Sequence, residues 1–183
     1  MRILPIALRF RHEPPDRLLE LASRASGITH RHPRSQVACG VYCLVAAGLL
    51  RGQSVQAAHQ LAVQTVSPIF KSKPLAGERH YFDAALAPDL ATLAEQRIGS
   101  SGHVVDTLTA SLWCLLSTGG YSEAVLKAVN LGGDTDTTGI AAGGLAGICY
   151  GIQAVPERWR TETTRAKDLE SLFERFTGLC VAE

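Results

Sequence analysis

Apolar residues recur at helical spacing along almost the whole chain, and no run alternates as a half-buried strand would. After Pro14 and Pro15, Asp16 is placed to cap a helix with Leu18, Leu19, Ala22 and Ala25 on one face and Gly27 as its end. A longer helix is predicted over 35–50, with Val37, Val41, Leu44, Val45 and Leu49 inward and Gly52 as its stop. Ser54 begins a short helix through Ala58 and Leu61, and the chain around Pro68, Pro74 and Gly77 reads as irregular. Positions 81–96 again suggest helix, interrupted by Pro88, and 99–102 (Gly-Ser-Ser-Gly) must be a loop.

From Val104 to Leu116 the pattern predicts a strongly buried helix, ended by Gly119-Gly120. Another follows from Ser122, with Ala124, Val125, Ala128 and Val129 inward, and Gly132-Gly133 breaks it. The next helix starts within 134–138 and carries Gly139, Gly143, Gly147 and Gly151 four residues apart, on one slowly drifting face. Glycine costs about 1 kcal/mol relative to alanine inside a helix, so such a stripe points to close packing by a neighbouring backbone. This helix is expected to be the central one. A last amphipathic helix places Leu169, Leu172, Phe173 and Phe176 on one side. The expectation is an all-α, compact multi-helix fold with residues 1–183 as a single domain.

Composition narrows the function classes. A chain 46% hydrophobic and 19% charged suits a globular protein. Eighteen Lys and Arg against seventeen Asp and Glu create no global field for nucleic acid or an acidic membrane, so neither is expected as a partner. Residues 137–155 lack charge over a length that could span a hydrocarbon core, but their glycine content argues for a protein interior. The five cysteines are odd in number and contain no C-x-x-C pair, which suggests buried thiols in a cytoplasmic protein.

Candidate chemistry concentrates in GGDTDTTG, positions 132–139. Asp134 and Asp136 offer carboxylate oxygens and Thr137 a hydroxyl, ligand types that Mg²⁺ or Mn²⁺ accepts. A helix start also aims free amides at the same space, where phosphate could bind. The same residue types are good helix caps, and the residues alone leave both readings open. A calcium-loop reading fails because its twelfth position is Leu145. Cys39 and Cys43 have no histidines at zinc-ligand spacing.

The stretch SGHVVDTLTASLWCLLSTGGYSEAVLKAVNLGGDTDTTGIAAGGLAGICYG closely resembles the C-terminal signature of the ADP-ribosylglycohydrolase family. THRHPRSQVACGVYCLVAAGLLRG resembles the family's middle segment, and MRILPIALRF a stretch just before it. The resemblance implies an all-α fold with two divalent ions, magnesium or manganese, at the floor of an ADP-ribose cleft. It implies Asp134, Asp136 and Thr137 as metal ligands. It implies His30, Ser101, Gly102, His103, Gly132, Gly133 and Thr135 as substrate-binding residues, although His103 stands where the family more often has Tyr. No catalytic residue is assigned.

Family members also carry an N-terminal segment with a GDALG-like loop and an acidic motif holding the remaining metal ligands. Neither motif occurs in these residues, so the chain is expected to be truncated relative to the family, to bind metal weakly or not at all alone, and to catalyse little. The implied ligand is ADP-ribose or an ADP-ribosylated protein or small molecule. A complementing N-terminal polypeptide and a homodimer are possible partners. Alternatives are a non-catalytic ADP-ribose or nucleotide-binding module, or an oligomer-forming remnant like the family's crystallin relatives.

Overall fold

A computed structural model describes residues 2–71 and 75–181. Among them the architecture is helical throughout, with no strand. The chain runs through α1 (Leu4–Arg9), α2 (Pro15–Gly27), α3 (Pro33–Leu50), α4 (Val55–Val66), α5 (Val104–Leu116), α6 (Tyr121–Asn130), α7 (Thr135–Tyr150), α8 (Glu157–Thr161) and α9 (Ala166–Val181). Short 3₁₀ turns, including Leu75–Phe82, Leu90–Thr92 and Glu95–Arg97, fill the connection between α4 and α5.

The centre of the fold is α3 rather than α7, contrary to the expectation from the glycine stripe. Val37–Ala38 and the whole run Gly40–Leu49 are buried, because α2 and α4 flank α3 while α1, α5 and α7 cover it. Its length and composition would also allow it to cross a membrane, yet two-thirds of it lies inside the protein. In α7 the stripe does serve close approach: a Cβ on Gly139 would sit 3.0 Å from Val129, and one on Gly143 3.5 Å from Val125 and from the Tyr121 hydroxyl, all on α6. On another side Gly144 admits the Tyr42 hydroxyl, which a Cβ would meet at 2.8 Å. Gly151 is not part of the stripe; it ends α7 with φ of 76°.

Two local expectations need correction. Asp16 lies in the first turn of α2 rather than capping it, since the helix opens at Pro15 with Pro14 as the flanking residue. Residues 81–96 form no α-helix. Pro88 lacks the amide a helix needs and restricts Ala87 before it, so the chain folds into 3₁₀ turns that still bury Phe82, Leu86 and Leu90. Side chains satisfy the carbonyls this irregular path leaves over: the His59 ring is 2.8 Å from the Ala85 oxygen, and Trp113 Nε1 donates to Leu93 at 3.0 Å. The last helix, α9, is amphipathic as expected, and its apolar face is only partly packed: Leu169 and Phe176 are half-buried, while Leu172 and Phe173 are 53% and 60% exposed. Pro74 lies outside the described residues.

Candidate functional site

Helices α3, α5 and α7 begin around one opening, and each start is capped by a polar side chain. His32 Nδ1 accepts from the Arg34 amide at 3.2 Å, His103 Nδ1 from Val105 at 3.4 Å, and Asp134 Oδ1 from Thr137 at 3.4 Å. These caps each satisfy an amide without an intrahelical partner, which is why the sequence can start a helix at each of the three places.

The loop 99–102 is sewn to the α7 start. The Asp134 amide donates to the Ser100 carbonyl at 2.8 Å, and Ser100 Oγ donates to Leu131 O at 3.2 Å. Gly132 and Gly133 turn the chain with φ of 75° and 64°, and a Cβ on Gly133 would collide with the Ser100 carbonyl. Gly102 is needed for a similar reason, because the Asp134 carboxylate fills the position its Cβ would take. Ser101 Oγ donates to Asp106 and accepts from the His103 amide at 3.1 Å. Asp106 therefore holds the loop as well as opening its helix.

The two aspartates of the 132–139 run share a backbone donor. The Thr137 amide reaches Asp136 Oδ1 at 2.9 Å as well as Asp134 Oδ1. A hydrogen bond from the Thr137 side chain foremost, then one shared with Asp136, holds the Asp134 carboxyl below its ordinary value of 3.8. Asp134 and Thr137 line a cavity of about 650 Å³ together with His30 and Gly102. Asp136 is exposed beside them and is not part of its wall. His30 is placed by its backbone, its amide donating to Ser26 O at 2.7 Å, and its ring shares a hydrogen bond with Thr29 Oγ1 at 3.0 Å. Thr135 is exposed in the first turn of α7, and Gly132 faces open space.

Away from the carboxylates the cavity is mainly apolar, bounded by Ile3, Ala38, Tyr42, Leu108 and Ala141. Two polar groups there escaped the sequence reading. The Tyr42 hydroxyl donates to Ala141 O at 2.9 Å, and the Thr107 hydroxyl, on a residue 7% exposed, has no partner among the described residues. Both sit in helical apolar patterns that mark them only as core. Burial raises the Cys39 thiol on the same wall, so it stays protonated.

In the first turn of α3, Arg34 Nε donates to Glu78 Oε2 at 2.7 Å, and this guanidinium holds the Glu78 carboxyl below the usual carboxylate range. Among the described residues no three His, Cys, Asp or Glu side chains gather into a metal-binding group. Asp134, Asp136 and Thr137 offer three hard oxygens at one helix start, a donor set that fits a small divalent ion but is too small to fill an octahedron.

A sequence profile of the ADP-ribosylglycohydrolase family matches residues 1–183. The chain is 31% identical over 161 residues to the ADP-ribosyl-[dinitrogen reductase] glycohydrolase of Rhodospirillum rubrum, covering 87% of this chain and 47% of that protein. It is 28% identical over 166 residues to the ADP-ribosylarginine hydrolase Tri1 of Serratia proteamaculans (strain 568), covering 91% and 42%. A solved structure described as an ADP-ribosylglycohydrolase-related protein complex superposes with a TM-score of 0.73 at 28% identity, covering 96% of this chain and 57% of the other. The chain thus spans about half the length of the curated relatives it matches.

Proposed function

The chain belongs to the ADP-ribosylglycohydrolase family, and from that premise we propose that it forms one wall of a metal-assisted site hydrolysing the ribose C1″ bond of an ADP-ribosylated substrate. The observation that supports this reading is the shared placement of Asp134 and Thr137 with His30 and Gly102 on one cavity, with Asp136 bound to the same Thr137 amide.

In this reading Asp134, Asp136 and Thr137 would hold divalent metal, magnesium or manganese, whose chemistry when bound would be to orient ribose hydroxyls and make water more acidic. The protein's own part is positioning. Asp134 stays ionised at neutral pH and keeps its carboxylate against Gly102, so ligand and cleft loop have one fixed spacing. Gly102 and His30 both border the cavity, and the ADP-ribose would lie against them. In the reaction a water oxygen bonds to C1″, the bond to the modified side chain breaks, and that side chain leaves with a proton. Three oxygen donors would leave most positions around such ions to water.

A second reading, ADP-ribose binding without turnover, would use the same cavity, whose wall beyond Asp134 is mainly apolar. Calorimetry with ADP-ribose and Mn²⁺, together with an assay for ADP-ribose release, separates the two. Both readings expect ADP-ribose affinity to fall about tenfold or more in the double variant Asp134→Ala, Asp136→Ala, and the binding reading expects no release under any supplementation. Unchanged affinity in that variant overturns both, and tight binding of two ions by the chain alone overturns the half-site.

A further inference from the structure

We propose that the groove at the end of α2 docks an acidic, partly apolar peptide segment of the ADP-ribosylated protein, with Arg24 and Arg31 as its anchors. The proposal rests on the hydrolase reading above for the identity of the partner, while the chemistry of the dock stands on the groove itself.

Ser23, Arg24, Gly27, Ile28, Arg31 and Gln36 line an open groove of about 530 Å³ between the end of α2 and the first turn of α3. Ile28 borders both this groove and the larger cavity that holds Asp134. A protein whose modified side chain reaches into the cavity therefore has its neighbouring residues beside Ile28 and the groove. Ile28 lies in the turn after α2 and is 82% exposed, a large apolar side chain left facing solvent at the lip between the two.

The groove is cationic because its arginines are only partly neutralised. No carboxylate lines it. Arg31 Nε donates to Gly27 O at 3.1 Å, which satisfies a carbonyl at the end of α2 but engages one of the guanidinium's N–H donors alone. Among the described residues no carboxylate pairs with Arg31. Arg24 has a share in one: Glu20 lies 2.6 Å from Arg17 and 3.6 Å from Arg24, so a single negative charge serves two guanidiniums. The Arg24 side chain is 69% exposed and open to a further partner.

The wider charge pattern selects a short partner. Residues 1–36 hold seven arginines against three carboxylates, whereas the rest of the chain holds eleven Lys and Arg against fourteen Asp and Glu. An extended polyanion such as nucleic acid or an acidic membrane would also meet the negative remainder, while a segment of a few residues meets the basic part alone. Arginine takes carboxylates through paired N–H donors. An acidic residue next to an aliphatic or aromatic one can thus place its carboxylate on Arg24 or Arg31 and its neighbour on Ile28.

The test is fluorescence anisotropy of the chain with two labelled, unmodified peptides, one rich in Glu and Leu and the other carrying Gln for every Glu, alongside calorimetry with ADP-ribose. We expect the chain to prefer the acidic peptide, and the double variant Arg24→Gln, Arg31→Gln to lose about fivefold or more of that affinity with ADP-ribose binding unchanged. Because Arg31→Gln also removes the bond to Gly27, melting curves accompany it. Arg24→Glu, which leaves that bond in place, is the second variant and should show at least the same loss. Equal binding of the two peptides by wild type overturns the proposal, as does unchanged acidic-peptide affinity in folded Arg24→Glu or in the folded double variant. A DNA oligonucleotide or phosphatidylserine vesicle that displaces the acidic peptide at a lower concentration of charge assigns the patch to a polyanion and also overturns it. The two readings fail separately: peptide discrimination without ADP-ribose binding keeps the acidic dock and removes the assignment of the cavity, and ADP-ribose binding without peptide discrimination does the reverse.

Discussion

Asp134 has three roles at once: helix cap, lowered carboxyl, and neighbour of Gly102. Its pH behaviour follows from the direction of the shift. A carboxyl depressed in the folded protein stabilises it above the unfolded value of about 4, and that stabilisation is lost as pH falls through the lower folded value. Melting temperatures of wild type and Asp134→Asn should therefore differ by a constant amount from pH 7 to about 5 and converge below about pH 4. Convergence already at pH 6 would mean the carboxyl is not depressed. At this scale the sequence was informative about residue types but not distances. Asp134, Asp136 and Thr137 read as oxygen donors at a helix start, whereas Arg34 looks like any exposed cation in a helix's first turn. Only the fold brings Glu78, Tyr81 and His103 to it.

At the level of elements, periodicity located most helices, because one buried face is enough to set the spacing of apolar residues. It failed where another constraint dominated. In 81–96 the apolar residues are buried as the pattern demands, but Pro88 blocks the helix that would normally present them. The glycine stripe indicated close packing and not centrality, since α6 can approach one face of α7 without α7 being enclosed. Two glycines within helices make this measurable. Gly144→Ala places a methyl 2.8 Å from the Tyr42 hydroxyl and 3.1 Å from Leu4, and overpacking of that kind costs about 1–3 kcal/mol. Gly178, in α9, has nothing within 4 Å, so Gly178→Ala should stabilise by up to about 1 kcal/mol. Urea denaturation of both variants checks the pair, and equal effects would contradict the packing described here.

On the scale of the whole molecule, the site is assembled from stretches near 30, 102 and 134 that no local pattern connects. The cleft was legible only through resemblance to a family, while the cavity's apolar wall was read as core. The body and α9 behave as unequal parts. The last helix meets α1 weakly, the Arg11 guanidinium reaching the Cys180 carbonyl at 3.4 Å, and it buries no residue fully. Replacing Leu172 and Phe173 by Glu should therefore change stability by no more than about 0.5 kcal/mol per site and leave ADP-ribose affinity unaltered. A large fall in melting temperature would show that this face is covered in solution.

The main-chain bond from Asp134 to Ser100 reaches further than its 2.8 Å suggests. A peptide group is common to every residue type, so this stitch survives any side-chain exchange at position 100 that keeps the backbone path. Position 100 can therefore change its side chain while the acidic helix keeps its place, whereas position 102 cannot, because the Asp134 carboxylate occupies the space a Cβ there would take.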